Sequence, residues 1–163
     1  GFYVLKEKWE KEIEKQLYLE YLANKIYEPS YLSCEYVMSK YSLLTEAVYG
    51  ITSITRKKTK TFTNELGRFS YYSICPALFS GYVVKKFYSA PILIAKKSKA
   101  VFDYLYLRFL KLAPVNKKSI MELRINWENM NSKELNQLEK YAQKTRSLRI
   151  KQAIKLIKEL YYA

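Results

Sequence analysis

Histidine is missing from this 163-residue chain. Its absence excludes Ser-His and Cys-His catalysis and any histidine-ligated metal, because both need an imidazole. Aspartate occurs once, at Asp103, which leaves little with which to build the carboxylate clusters that hold two catalytic metals. The two cysteines, Cys34 and Cys75, have no metal-knuckle spacing and read as buried thiols rather than a disulfide or a nucleophile. Four glycines leave little room for a phosphate-cradling loop, and no GxGxxG, Walker-type or GxSxG motif occurs. There is no run of ~18 apolar residues, so no transmembrane helix and no membrane partner are expected. These absences together predict a protein with no catalytic residue, no metal and no cofactor.

Positive charge is abundant by contrast. Lys and Arg number 29 against 15 Asp and Glu, a net charge of +14. Such an excess attracts polyanions. Nucleic acid is the first partner to consider, an acidic protein the second, and compositional drift in an AT-rich genome the third. The charge recurs in clusters, which favours a partner over drift. Hydrophobic residues make up 49% of the chain, too many for a disordered tail. Tyrosine contributes 17 of them, each able to bury a ring while its hydroxyl finds a polar neighbour.

The stretch from Tyr49 to Cys75 has the clearest pattern. Ile51, Thr52, Ile54 and Thr55, then Thr59, Thr61, Phe62 and Thr63, are β-branched or aromatic and suit strands. Arg56-Lys57-Lys58 and Lys60 sit at the bend between them, and Asn64-Glu65-Leu66-Gly67 supplies a turn before a third strand over Arg68 to Ile74. The broken alternation at Ser53-Ile54 suggests a bulge. The lysines at the bend read either as a solvated tip or as phosphate contacts.

Around this stretch, Gly1 to Leu5 reads as one strand and Lys6 to Lys15 as a solvated helix or linker. Leu17, Tyr18, Tyr21, Leu22 and Ile26 predict an amphipathic helix that ends at Glu28-Pro29. Ser30-Tyr31-Leu32 reads as an extended link, and Ser33 as the N-cap of a helix carrying Tyr36, Val37 and Tyr41. Pro76 to Phe79 predicts one helical turn, and Gly81 to Phe87 and Ala90 to Ala95 two more strands, the second placed at an edge by Pro91. Val101, Phe102, Leu105, Phe109 and Leu112 line one face of the next helix, where Asp103 is positioned to salt-bridge Lys99 or pair with tyrosine hydroxyls. Ser119 and Glu122 have capping-box spacing for a short helix, Asn131 caps another, and the last runs from near Ser147 to Tyr161. Lys151, Lys155 and Lys158 form its basic face and are a second set of candidate phosphate contacts.

The expected fold class is α+β, with N-terminal helices, a central mostly antiparallel sheet of about five strands and a helical C-terminal third. The expected divisions are residues 1–15, a wing-strand remnant and linker, 16–112, the core, and 113–163, a helical subdomain. The chain starts at Gly1 rather than Met and is expected to be a fragment, a processed product or a tag remnant.

Several segments in order and spacing resemble the AbiEi family of antitoxins and transcriptional regulators. They are Pro29-Ser30-Tyr31-Leu32-Ser33, Tyr41-Ser42-Leu43-Leu44, Glu46-Ala47-Val48-Tyr49 with Ile51 to Thr55, Phe62-Thr63-Asn64, Gly67 to Tyr71 with Ile74, Ile94-Ala95, and Lys99-Ala100 with Asp103 and Tyr106. The match spans about residues 21 to 110. The resemblance implies a two-domain bacterial regulator of type IV toxin–antitoxin and abortive-infection (phage-defence) systems. An N-terminal winged helix would bind operator DNA, and a C-terminal domain would carry antitoxin activity against a nucleotidyltransferase-like toxin without a tight complex. This chain resembles the C-terminal domain, with Gly1 to Leu5 as the closing wing strand, so operator reading by a recognition helix is not expected of it. Lys97-Ser98 departs from the Pro-Glu the family tends to have there. A cytoplasmic location follows from the same resemblance.

On this reading Arg56, Lys57, Lys58, Lys60 and Arg68, with Lys151, Lys155 and Lys158, would contact the DNA phosphate backbone. A protein-interaction domain that binds an acidic partner is the second reading. A nuclease-like or phosphotransfer enzyme working through Asp103 is the third.

Overall fold

Ser30 to Leu32 is one of the two strands at the centre of the sheet, not a link. Three residues are too few for a strand period to show, and all three are buried, so no polar alternation marks them. The computed structural model describes residues 4, 6–111 and 113–162. Of the segment Gly1 to Leu5 only Val4 falls among them, so the proposed wing strand lies outside the described residues, as does Leu112.

The elements run α1 (Lys6–Lys11), α2 (Lys15–Ile26), β1 (Ser30–Leu32), α3 (Cys34–Lys40), β2 (Ile51–Thr55), β3 (Lys60–Asn64), β4 (Gly67–Ser73), β5 (Tyr82–Phe87), β6 (Ala90–Ala95), α4 (Lys97–Phe109), α5 (Lys117–Met121), α6 (Ser132–Gln143) and α7 (Leu148–Tyr161). Single 3-10 turns lie at Pro76–Leu78 and Trp127–Asn129. The fold is α+β, and among the described residues its sheet has six strands, one more than expected, in the order β3-β4-β2-β1-β6-β5. It is mixed: β2 with β4 and β1 with β6 are parallel, and the other three pairings are antiparallel.

Three further expectations are corrected. No bulge interrupts β2, which pairs with β4 in unbroken register from Ile51↔Phe69 to Thr55↔Ser73. Its alternation fails because β2 is an inner strand covered on both faces, with Ile51, Ser53, Ile54 and Thr55 all buried. Pro91 does not mark an edge, since β6 lies between β1 and β5. The short β1 registers with β6 only at Ile94, so it never runs beside the proline. Ser119 does not open α5; Asn116 is the cap, and Ser119 is its third residue, returning the hydrogen bond of the capping box.

One face of the sheet carries α2. The Asn24 side chain accepts from Leu93 N–H (2.6 Å) and donates to its carbonyl (3.3 Å), so α2 satisfies backbone groups of β6 directly. Tyr71 of β4 donates to Ala23 O at 2.5 Å on the same side. The other face carries α3 and α4, and α6 and α7 pack behind α4. Val101, Phe102, Leu105 and Phe109 are buried, as their spacing predicts. Ile150, Ala153, Ile154 and Ile157 of α7 join the same apolar core, which runs without a break from Ala23 to Ile157.

Candidate nucleic-acid interface

The bend after β2 is built by two threonines. Thr55 Oγ1 donates to Pro29 O (2.8 Å) and accepts the Lys57 N–H (3.1 Å), and Thr59 Oγ1 accepts the Ser73 N–H (3.0 Å). These bonds hold the connection close to the sheet while its long side chains turn outward, and Arg56, Lys57, Lys58 and Lys60 are all exposed.

Aromatic rings set where the cations sit. Lys57 Nζ lies 5.1 Å from the Tyr27 ring, and Lys60 Nζ lies 4.8 Å from Phe62 and 6.0 Å from Tyr27. Tyr27 also donates its hydroxyl to Lys58 O at 3.2 Å. Arg56 rests over Phe79 at 5.3 Å, and Phe79 packs on Tyr31, which faces α4. Lys57 and Lys60 therefore lie on the α2 side of the sheet's end and Arg56 on the other, with Lys58 exposed at the bend between them. Among the described residues no carboxylate comes within salt-bridge distance of any of the four. A cation leaning on a ring loses little by doing so and stays available to an anion.

The remaining candidates are elsewhere. Lys60 sits opposite Tyr71, whose hydroxyl reaches α2. Arg68 is three positions earlier on β4, and the odd spacing sends its side chain to the opposite face of the sheet. There it shares a groove with Tyr104 and Arg108 of α4. Lys151, Lys155 and Lys158 line a shallow groove of α6 and α7 together with Glu139 and Glu159. Lys158 pairs with Glu139 at 2.8 Å and Lys155 with Glu159 at 3.9 Å, so two of these three charges are already compensated. Four of the eight candidates thus form one cluster, and the other four do not join it.

Tyr27, Phe62 and Phe79, the rings under the cations, were not among the candidate contact residues of the sequence. Phe62 could have been found, since Lys60-Thr61-Phe62 places a cation and a ring on one face of a strand. Tyr27 and Phe79 come from distant parts of the chain, and only the fold brings them there.

A second charged cluster is sealed inside. Asp103 accepts from Ser33 Oγ (2.7 Å), Tyr31 OH (3.0 Å) and the Lys99 ammonium one helical turn away. Both pairings expected for Asp103 are therefore present. Rings of Phe102, Tyr141 and Tyr31 enclose the ammonium at 4.9, 5.6 and 5.7 Å. Lys99 and Asp103 are both 0% exposed. Burial pushes the Asp103 carboxyl up and the Lys99 ammonium down, while their mutual attraction and the two hydroxyl donors oppose that drift. The same burial and the neighbouring carboxylate push the Tyr31 hydroxyl well up.

Ser33 is the N-cap of α3, but its hydroxyl does not cap, having turned inward to Asp103. Thr52 replaces it: its Oγ1 accepts the Tyr36 N–H (3.1 Å) and donates to Ser33 O (2.6 Å). Gly81 closes the knot, because a Cβ there would stand 2.6 Å from the Tyr141 hydroxyl and 2.9 Å from Lys99 Cγ.

Among the described residues, no three His, Cys, Asp or Glu side chains gather as a metal site requires. No helix among them is long and apolar enough to cross a membrane. Comparison of the chain with protein-family models, curated proteins and solved structures finds no match.

Proposed function

We propose that this chain is a non-enzymatic antitoxin and transcriptional-regulator domain of a bacterial toxin–antitoxin system. It would oppose a nucleotidyltransferase-like toxin, and it would assist repression by contacting DNA phosphates through Arg56, Lys57, Lys58 and Lys60. The observation that carries the DNA-contacting part is the cluster itself: four exposed cations, three of them (Arg56, Lys57 and Lys60) held on aromatic rings, with no carboxylate of the described residues within salt-bridge distance. The ordered segments resembling the AbiEi family carry the antitoxin part.

The test is binding of duplex DNA as a function of salt. Neutralising four phosphates lowers affinity about 100-fold between roughly 50 and 200 mM salt. Replacing all four residues by Ala should remove most of that slope. A flat salt response in the parent protein, or an unchanged slope in the variant, defeats the DNA-contacting part. Rescue from toxin-induced growth arrest on co-expression tests the antitoxin part separately.

An acidic protein surface is the second reading, because a cation on a ring meets a carboxylate as readily as a phosphate. Co-purification with a neighbouring gene product, in a chain that ignores DNA, would favour it.

A further inference from the structure

Arg68, parted from the basic bend, has other company. A groove of about 660 Å³ opens on the α3–α4 face of the sheet. Arg68 and Arg108 stand at it as exposed guanidiniums from two different elements, β4 and α4. Tyr72 and Tyr104 present half-buried rings, and Glu35 projects from α3. The segment 44–50 forms its outer wall and is pinned to β4 at Gly50, where φ is +88° and a Cβ would lie 2.7 Å from Arg68 O. Only glycine lets the two backbones approach this closely.

We propose that the groove is a binding site for a phosphorylated nucleoside, with Arg68 and Arg108 on the phosphate, Tyr72 and Tyr104 against the base, and Glu35 on a base amino group.

Each part of that assignment follows from the chemistry present. Guanidiniums bind phosphate through paired N–H donors. Among the described residues neither Arg68 nor Arg108 has a carboxylate within salt-bridge distance, whereas Arg124 at the rim is already paired with Glu46 at 3.5 Å. The volume is far beyond what a bare inorganic anion needs and lies within the usual range for small-molecule sites, roughly 300–1,000 Å³. Two tyrosine rings suit a flat heterocycle, since stacking on a base is worth about 1–3 kcal/mol and tolerates any base. Glu35 supplies an acceptor for an exocyclic amino group, the contact that carboxylates make with bases. Burial raises the hydroxyls of both Tyr72 and Tyr104, and the Glu35 carboxylate adds to the rise at each, while Arg68 opposes it at Tyr72 and Arg108 at Tyr104. The site lies apart from the basic bend, so it stands or falls independently of the function proposed above.

Calorimetric titration of the protein with AMP, GMP, CMP and UMP, with the corresponding nucleosides and with inorganic phosphate, tests it. At least one mononucleotide should bind with 1:1 stoichiometry and a Kd below about 1 mM, and more tightly than its nucleoside or phosphate alone. Arg68→Ala and Arg108→Ala should each weaken it at least about tenfold while melting as the parent does, because both side chains are exposed. Glu35→Gln should reorder the preference among bases, and Lys57→Ala with Lys58→Ala should change nothing. A 5′-phosphorylated single-stranded hexamer that outcompetes every mononucleotide would identify a strand end as the source of the same chemistry. No saturable binding at about 5 mM, equal binding of inorganic phosphate, or unaltered binding by both arginine variants overturns the proposal.

Discussion

Lys99 and Lys57 each belong to a short basic run, one at 96–99 and one at 56–58, yet the molecule uses them in opposite ways. Lys99 is fully buried, ringed by three aromatic side chains and tied to the single aspartate. Lys57 leans on one ring at 5.1 Å and is otherwise in water. A buried charge costs several kcal/mol to desolvate, and its partners are needed to offset that cost. An exposed charge on a ring costs almost nothing and contributes little to folding. The same residue type therefore holds the fold together in one place and is free for a partner in the other, and the difference can be tested by breaking each in turn.

The largest effect is expected from Asp103→Ala. It leaves the Lys99 ammonium buried without its counter-charge and strands the Ser33 and Tyr31 hydroxyls. Removing one member of such a pair typically costs about 3–5 kcal/mol, or roughly 6–20 °C in melting temperature for a chain of this size. Replacing both, Asp103→Leu with Lys99→Met, should recover much of the loss, because apolar side chains of similar volume often stand in for a buried pair. Thermal melts of the three proteins decide it. An Asp103→Ala variant that melts with the parent would mean the knot is not what secures α4 to the sheet.

Alkali attacks the interior on both faces of the sheet, with a smaller effect per group. Tyr31, Tyr36 and Tyr71 are buried, and burial pushes each hydroxyl above its ordinary value near 10. The unfolded chain therefore loses these protons first as pH rises. The stability that the neutral hydroxyls contribute is complete below about pH 10 and falls beyond it, by about 1.4 kcal/mol per pH unit for each tyrosine. Lys99, pushed down, works in the opposite sense, but only below the ordinary lysine value near 10.5. Melting temperature should thus drop steeply above pH 10.5. A flat profile to pH 11.5 would show that these hydroxyls are not held in the interior. Next in size is Gly50→Ala, where a positive φ and the approach to Arg68 O together cost about 1–3 kcal/mol, read in the same melts. No loss there would mean that the 44–50 segment is free to move off β4.

How much of this could be read beforehand depended on distance along the chain. Asn131 caps α6 through a backbone group three residues on, and that cap stands as the sequence indicates. The Lys99–Asp103 pair is equally local, one helical turn. Ser33 shows the limit. Its hydroxyl satisfied every local criterion for a cap, but Asp103, 70 residues on, takes it. The cap that α3 uses comes from Thr52, on a strand whose neighbours could not be known. Strand β1 was hidden because burial on both faces erases the alternation that identifies strands. At the candidate interface the cations were visible as a run of charge, whereas the separation of Arg68 from Lys60 depends on β3–β4 register, which only the paired sheet defines.

The exposed half of the comparison predicts the smallest change in stability and the clearest change in binding. Arg56, Lys57, Lys58 and Lys60 make no salt bridge among the described residues, so changing all four to Ala should move stability by no more than about 0.5 kcal/mol per site. It should also lower net charge from +14 to +10, and with it the pull on any polyanion. Changing Lys151, Lys155 and Lys158 removes three more charges, of which Lys158 and Lys155 already sit beside Glu139 and Glu159. Duplex-DNA affinity measured at one fixed salt concentration separates location from bulk charge. If the bend is the contact, its four-residue variant loses far more affinity per charge than the α7 variant does. If the two variants lose affinity in proportion to charge alone, attraction is diffuse and the rings under Lys57 and Lys60 position nothing that matters to DNA. The expected result is the first, because phosphate contacts require cations that are both close together and unpaired, and of the two groups only the bend has both properties.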